Sequence, residues 1–137
     1  MKFLMFLKNS TRKKVIASDV KLCKTVLSRS KGLMFSPKKA NRAVVLVFPN
    51  EQKVDLHMFF VFFPIDVIFL DKRKRVVEMK KNFEPFTTYV THKKAKYAVE
   101  VSVGTITETK TRLGDQFAFY GVVKKGKSKV IGVSSAI

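Results

Sequence analysis

A chain of 137 residues with 46% hydrophobic content and thirteen phenylalanines is large enough for one core and too apolar to be disordered. Its formal charge of +18 attracts nucleic acid or anionic lipid, unless the lysines are only a solubilising layer. The lone Cys23 and two well-separated histidines exclude an internal disulfide framework and a cysteine-cluster zinc site.

Met1 to Leu7 reads as a first strand or as an apolar arm that pairs with an edge. Its apolar core, Phe3 to Leu7, is shorter than the ~7–15 residues of a signal peptide's apolar region, and no small-residue cleavage site follows. The cytoplasm is therefore the expected location. Asn9 to Lys14 is a polar, basic turn. Val15 to Ala17 and Val20 to Thr25 are short strands around a Ser18-Asp19 turn. Ser28 to Lys31 forms one or two helical turns closed by Gly32, after which Leu33, Met34 and Phe35 are expected in the core. Ser36 to Asn41 is a basic loop. Ala43 to Phe48 is a strand by composition, and Pro49-Asn50 should end it.

The run from Val54 to Leu70, VDLHMFFVFFPIDVIFL, is too short and too broken to span a membrane, which takes ~20 mostly apolar residues. Its aromatic and β-branched content favours two strands, Val54 to Phe63 and Ile65 to Leu70, separated by Pro64. Both faces of the run are apolar towards its end, the pattern of a strand covered on two sides. Asp71 to Lys74 turns the chain into Arg75 to Lys80, and Asn82 to Lys96 reads as a long loop. Tyr97 to Val103 alternates as a half-buried strand ending at Gly104. Thr105 to Arg112 is a short helix with Thr105 as N-cap and Glu108 three residues on. Leu113 to Asp115 is a turn. Phe117 to Val123 and Lys129 to Val133 pair around a basic loop, making a hairpin within 116–134. The expected fold is a single domain over 1–137: a mainly β, antiparallel sandwich or barrel with one or two short helices.

Asp66 is the most informative polar residue, because an unpaired carboxylate in an apolar strand costs several kcal/mol. It needs donors, and Arg29 is the expected partner. Asp66 is either structural, in an ion pair or as a turn-capping residue after Pro64, or a carboxylate at a pocket floor that anchors a ligand or acts as a general base. Asp55 and His57 share a strand face and would hold a metal if Glu78, Glu84 or His92 supplied a third ligand; no clustered motif does, so no metal is assigned. Thr87, Thr88, Thr91 and His92 lie with Glu84 in the long loop, a candidate pocket rim. No nucleophile elbow, phosphate-binding loop or dinucleotide fingerprint occurs, and no cofactor is expected. Lys38, Lys39, Lys72, Arg73, Lys93, Lys94, Lys124, Lys125 and Lys127 either make one phosphate-binding face or sit at separate hairpin tips that protect strand edges.

Five segments in order carry a family resemblance: RSKGLMF (29–35), LVF (46–48), HMFFVFFPIDVIFLD (57–71), YAVEVSVGT (97–105) and LGD (113–115). Together they resemble the domain of unknown function 192 family, also called uncharacterised protein family 0127, over about residues 21–119. The resemblance implies a small jelly-roll-like β-structure whose biochemical activity is not established. It makes Arg29, Gly32, Met34, Met58, Pro64, Asp66 and Asp115 candidate positions. His57 stands where the family has tryptophan, and Phe59, Phe60 and Val61 where it has a polar Lys-Asn-Thr. The reading that results is a non-enzymatic module binding a small molecule or protein, with Arg29 and Asp66 as polar floor and Met34 and Met58 as walls. A nucleic-acid-binding accessory protein and a metal-dependent hydrolase are the alternatives.

Overall fold

The computed structural model describes the backbone of residues 2–125 and 129–135, and the side chains of residues 4–25 and 28–121. Within these the order is β1 (Lys2–Asn9), β2 (Lys14–Ala17), β3 (Asp19–Cys23), α1 (Val26–Lys31), β4 (Arg42–His57), β5 (Ile65–Leu70), β6 (Val76–Phe83), β7 (Thr88–Ser102), α2 (Thr105–Glu108), β8 (Phe117–Lys125) and β9 (Lys129–Ser135). A four-stranded sheet, β2-β1-β8-β9, and a five-stranded sheet, β3-β4-β7-β5-β6, make a mainly β sandwich without a closed barrel. Strand pairings are antiparallel except β3 with β4, whose parallel register from Asp19↔Arg42 to Cys23↔Leu46 is reached through a crossover containing α1.

The five-stranded sheet is buried on both faces. Ala43, Val45, Ile68, Leu70 and Val99 meet Leu7, Phe117 and Phe119 of the other sheet. On the opposite face Val44, Leu46, Val67 and Phe69 meet Leu33, Leu56, Met58 and Phe83. Every residue of β5 is buried, Asp66 among them, and each large apolar side chain contributes about 1.5–3 kcal/mol. β1 lies on its own domain, paired with β8 from Lys2↔Lys124 to Asn9↔Phe117.

Several boundaries differ from expectation. Pro49-Asn50 does not end β4: both residues are exposed where the β4–β7 register shifts between Val47 and Gln52, and an irregularity of this kind tolerates a residue without an N–H. The strand expected to run to Phe63 stops at His57, because the Met58 N–H donates to the Thr87 carbonyl and Val61 N–H turns back onto Met58. Residues 58–64 form a loop, and Phe59, Phe60 and Phe62 are exposed. Phe35 is likewise exposed, whereas Leu33 is buried. The expected loop over 82–96 is mostly strand, the end of β6 and the lysine-bearing first half of β7; exposed lysines hid its alternation.

The helices show how the motifs act locally. Thr25 and Ser28 cap α1 reciprocally, and Gly32 closes it at φ 44°, ψ −117°, a conformation open in practice to glycine. α2 is a single turn, and its N-cap is Gly104, in the left-handed region, not Thr105. Asp66 caps it from β5: one carboxylate oxygen accepts the N–H groups of Gly104 (3.1 Å) and Ile106 (3.0 Å), the other that of Asn82 (3.0 Å). The expected Arg29–Asp66 pair is therefore absent, since three backbone donors satisfy the carboxylate. Asp115 has a parallel role at the other end, accepting from Arg12, Asn9 and the Arg112 N–H. Burial pushes its pKa up, but these bonds outweigh that and hold its carboxyl below the usual value.

Candidate functional site

Gly32 turns the chain out of α1 so that residues 29–34 lie over the face of the five-stranded sheet. Beneath them is a cavity of about 240 Å³, lined by Arg29, Gly32, Met34, Leu46, Val61 and Glu100 among others. Asp55 and His57, the last outward-facing residues of β4, also line it. Arg29 Nη1 donates to the carbonyls of Lys24 (2.6 Å) and Val47 (3.2 Å), and the guanidinium lies over the Phe48 ring at 5.1 Å. The arginine thus anchors the α1 segment to β4 and presents its flank to the cavity.

Glu100 is the unexpected member. It lies near the C-terminal end of β7, between Val44 of β4 and Val67 of β5, and is 5% exposed. Its Oε1 has no hydrogen-bond partner among the described residues. A Cβ on Gly32 would stand 3.3 Å from that oxygen, so the glycine of the Gly-Leu-Met segment leaves the room beside it. Burial pushes the Glu100 carboxyl up to about 8, so it carries its proton at neutral pH. Burial also raises the Cys23 thiol, with Glu100 adding to the shift and Lys21 opposing it. Leaving a buried carboxyl oxygen unpaired costs about 1–3 kcal/mol, and Val or Ala would fill the position without that penalty.

Of the four expected ligand residues, Arg29 and Met34 reach the cavity. Met58 is fully buried in the core beside it, and Asp66 is committed to α2. Asp55 and His57 come together as their spacing requires, but the His57 Nδ1 accepts the Phe59 N–H. Glu78 is engaged by the Tyr89 hydroxyl and the His92 and Lys93 N–H groups. Among the described residues no group of three or more His, Cys, Asp or Glu is placed to hold a metal ion. Glu100 escaped the sequence reading because alternation in Tyr97 to Val103 assigned it, with Ala98 and Ser102, to the wetter face. The signal available was an acid between two valines in the most apolar stretch of that strand.

The expected basic positions are spread over the molecule. Lys38 and Lys39 follow α1, and Lys39 pairs with Asp19 at 3.1 Å. Lys72 and Arg73 occupy the β5–β6 turn, whose Lys74 carbonyl accepts the Phe117 N–H at the start of β8. Lys124 and Lys125 end β8, about 25 Å along the strand from that point. Lys93 and Lys94 lie within β7, with Lys94 opposite Lys53. Lys127 falls outside the described residues.

The sequence model of the DUF192 family, described as an uncharacterised group, matches residues 7–119. A UPF0127 protein of Thermococcus sibiricus is 39% identical over 110 residues, covering 79% of this chain and 70% of the relative. One from Thermococcus kodakarensis is 36% identical over 131 residues, 94% of this chain and 81% of its own. A solved structure of a protein of unknown function from Novosphingobium aromaticivorans superposes with a TM-score of 0.72 at 19% identity, covering 83% of this chain and 82% of that one. A solved structure described as a putative transcription regulator from Sinorhizobium meliloti gives 0.74 at 18% identity, covering 85% of this chain and 92% of that one. Those two likenesses concern the fold, while the family model and the close relatives concern descent: this chain belongs to the DUF192 (UPF0127) family, whose biochemical function is uncharacterised.

Proposed function

We propose that the protein is a non-enzymatic binding module of the cytoplasm that takes a small, neutral, hydroxyl-bearing molecule into the cavity beside α1. The observation that carries this is the Glu100 Oε1, buried at the cavity wall and without a partner among the described residues. A ligand hydroxyl would supply the missing hydrogen bond, and apolar carbons would lie against Leu33, Leu46 and Val61. Arg29 and Lys31 at the same cavity disfavour a cation, and a carboxyl that is neutral at pH 7 does not call for one. Arg29 and Met34 form a wall; Asp55 and His57 form the rim. The alternative of nucleic acid bound by the basic surface draws on net charge, and its named lysines lie apart on the fold.

Ligand-observed NMR with a panel of small alcohols and polyols tests the reading. Glu100→Gln, which keeps a donor and an acceptor, should bind as the parent does. Glu100→Leu should bind about tenfold or more weakly, the loss expected for one buried hydrogen bond left unmade. Equal binding by Glu100→Leu, or no binding of any panel member to the parent, would overturn it.

A further inference from the structure

Beside the cavity, three loops bring phenylalanines together at one end of the sandwich: residues 33–41, 58–64 and 84–87. Phe35 (67% exposed), Phe62 (64%), Phe86 (49%), Phe59 (46%) and Phe60 (45%) all face solvent. Phe35 stacks on Phe60 at 4.9 Å, Phe60 meets Phe86 edge-on at 5.9 Å, and Phe62 meets Phe86 at 5.5 Å. Four rings therefore form one continuous apolar surface, and Phe59 continues it onto His57 at 5.1 Å. Patches of this kind mark a binding surface on a folded domain.

The surface is held in place by backbone bonds. The Phe35 N–H donates to the Phe60 carbonyl (2.9 Å), Phe86 N–H to the Met58 carbonyl (2.8 Å) and Met58 N–H to the Thr87 carbonyl (2.8 Å). The three loops are thereby tied into one unit. Phe35, Phe60 and Phe86 each sit in the left-handed region, at φ 58°, 59° and 60°. Bulky residues rarely adopt it, and glycine or asparagine would do so at less cost. The ring contacts return only a little stability, a weak reason for folding to keep phenylalanine at positions this exposed, so the aromatic side chains answer to something outside the domain.

We propose that this phenylalanine cluster docks the protein on an anionic phospholipid bilayer, the rings entering the interface and flanking lysines meeting the headgroups. Charge complementarity selects this occupant. The chain carries +18, residues 33–41 contribute Lys38 and Lys39 with no acid, and residues 58–64 carry no charge. Lys38 and Lys39 line a crevice with Phe63 and Pro64, so cations stand directly beside the aromatic loop, Lys39 in an exposed pair with Asp19; Glu84 is the one acid in the three loops. A bilayer interface accepts a rigid aromatic wedge ringed by cations without demanding shape complementarity. A second copy of the chain would bring another +18 against the first. Single-stranded nucleic acid needs cations interleaved with free ring faces, whereas here Phe35 and Phe60 already stack on each other and the 58–64 loop has no cation.

Vesicle flotation, comparing phosphatidylcholine with phosphatidylcholine containing phosphatidylglycerol, provides the test. The parent should float with the anionic vesicles, less so at high salt, and remain free with the neutral ones. The double variant Phe35→Asn/Phe62→Ser should lose about tenfold or more in vesicle affinity per ring removed, with an unchanged circular dichroism spectrum. Full binding by that variant would make the attraction charge alone and overturn the proposal. So would an absence of vesicle binding, whether the variant's loss then appears in oligonucleotide binding or in self-association by sedimentation. The pocket is untouched by these substitutions, so either reading can fail alone.

Discussion

Glu100 takes up a proton more readily when the chain folds. Its carboxyl moves from 4.5 in the ordinary state to about 8, driven by burial. Between those values the native state holds a proton that the unfolded chain has released, so stability falls as pH rises through the window and levels off above it. Urea denaturation at a series of pH values should show this decline in the parent and a flatter profile in Glu100→Gln, which should also be the more stable of the two at alkaline pH. A decline of equal size in Glu100→Gln would assign the effect to another group. Asp115 works in the opposite sense, since Arg12, Asn9 and the Arg112 N–H favour its charged form and its contribution is lost only in acid. The two acids differ because one is surrounded by donors, whereas the other has an oxygen buried without a partner among the described residues.

Elements were legible where pattern and chemistry agree. The boundaries of β5 follow from the apolar run between Pro64 and Asp71, and the end of α1 follows from Gly32. The extent of β4 and β7 was not legible, because Pro49 and a row of lysines read as loop while the long β4–β7 pairing carries the backbone past both. The loop at 58–64 misled for a different reason: phenylalanines signal a strand locally, but hydrogen bonds from Met58 to Thr87 and from Phe35 to Phe60 are tertiary and leave no mark in the run itself. Asp66 was correctly singled out as a carboxylate that needs donors, yet its donors are amides of α2 and β6, which no residue-type reasoning points to. At this scale Gly32 ties sequence to site. Gly32→Ala combines a positive φ with a Cβ 3.3 Å from the Glu100 oxygen, and should cost about 1–3 kcal/mol. Thermal or urea unfolding checks it, and an unaltered midpoint would mean that the segment after α1 yields freely.

For the whole molecule, two sheets bury one core between them, and the α1 segment with the loops at 58–64 covers a second on the outer face. The sequence announced the sandwich through its many short strands, but not the parallel β3–β4 pair, which depends on a crossover rather than on local pattern. The charge is a property of this scale as well. Only two ion pairs, Arg12–Asp115 and Lys39–Asp19, occur among the described residues, so most of the excess is uncompensated self-repulsion. Added sodium chloride should therefore raise the melting temperature until the repulsion is screened, over a range where the Debye length falls from ~30 Å to ~8 Å. A melting temperature that falls with salt would place the dominant electrostatics in those two pairs instead.

The pairing of β1 with β8 sets an order of events for the nascent chain. Phe3 finds Val123, and Asn9 finds Phe117, across every element from β2 to α2. Loop closure of that span is entropically costly and slow. During synthesis the apolar segment around Phe3 to Leu7 emerges well before β8 and waits without that partner strand, while β3 to β7 have what they need to assemble. β1 is thus made before the strand it pairs with and is among the last to find its place, and until then an apolar strand edge is open to chaperones or to neighbouring chains.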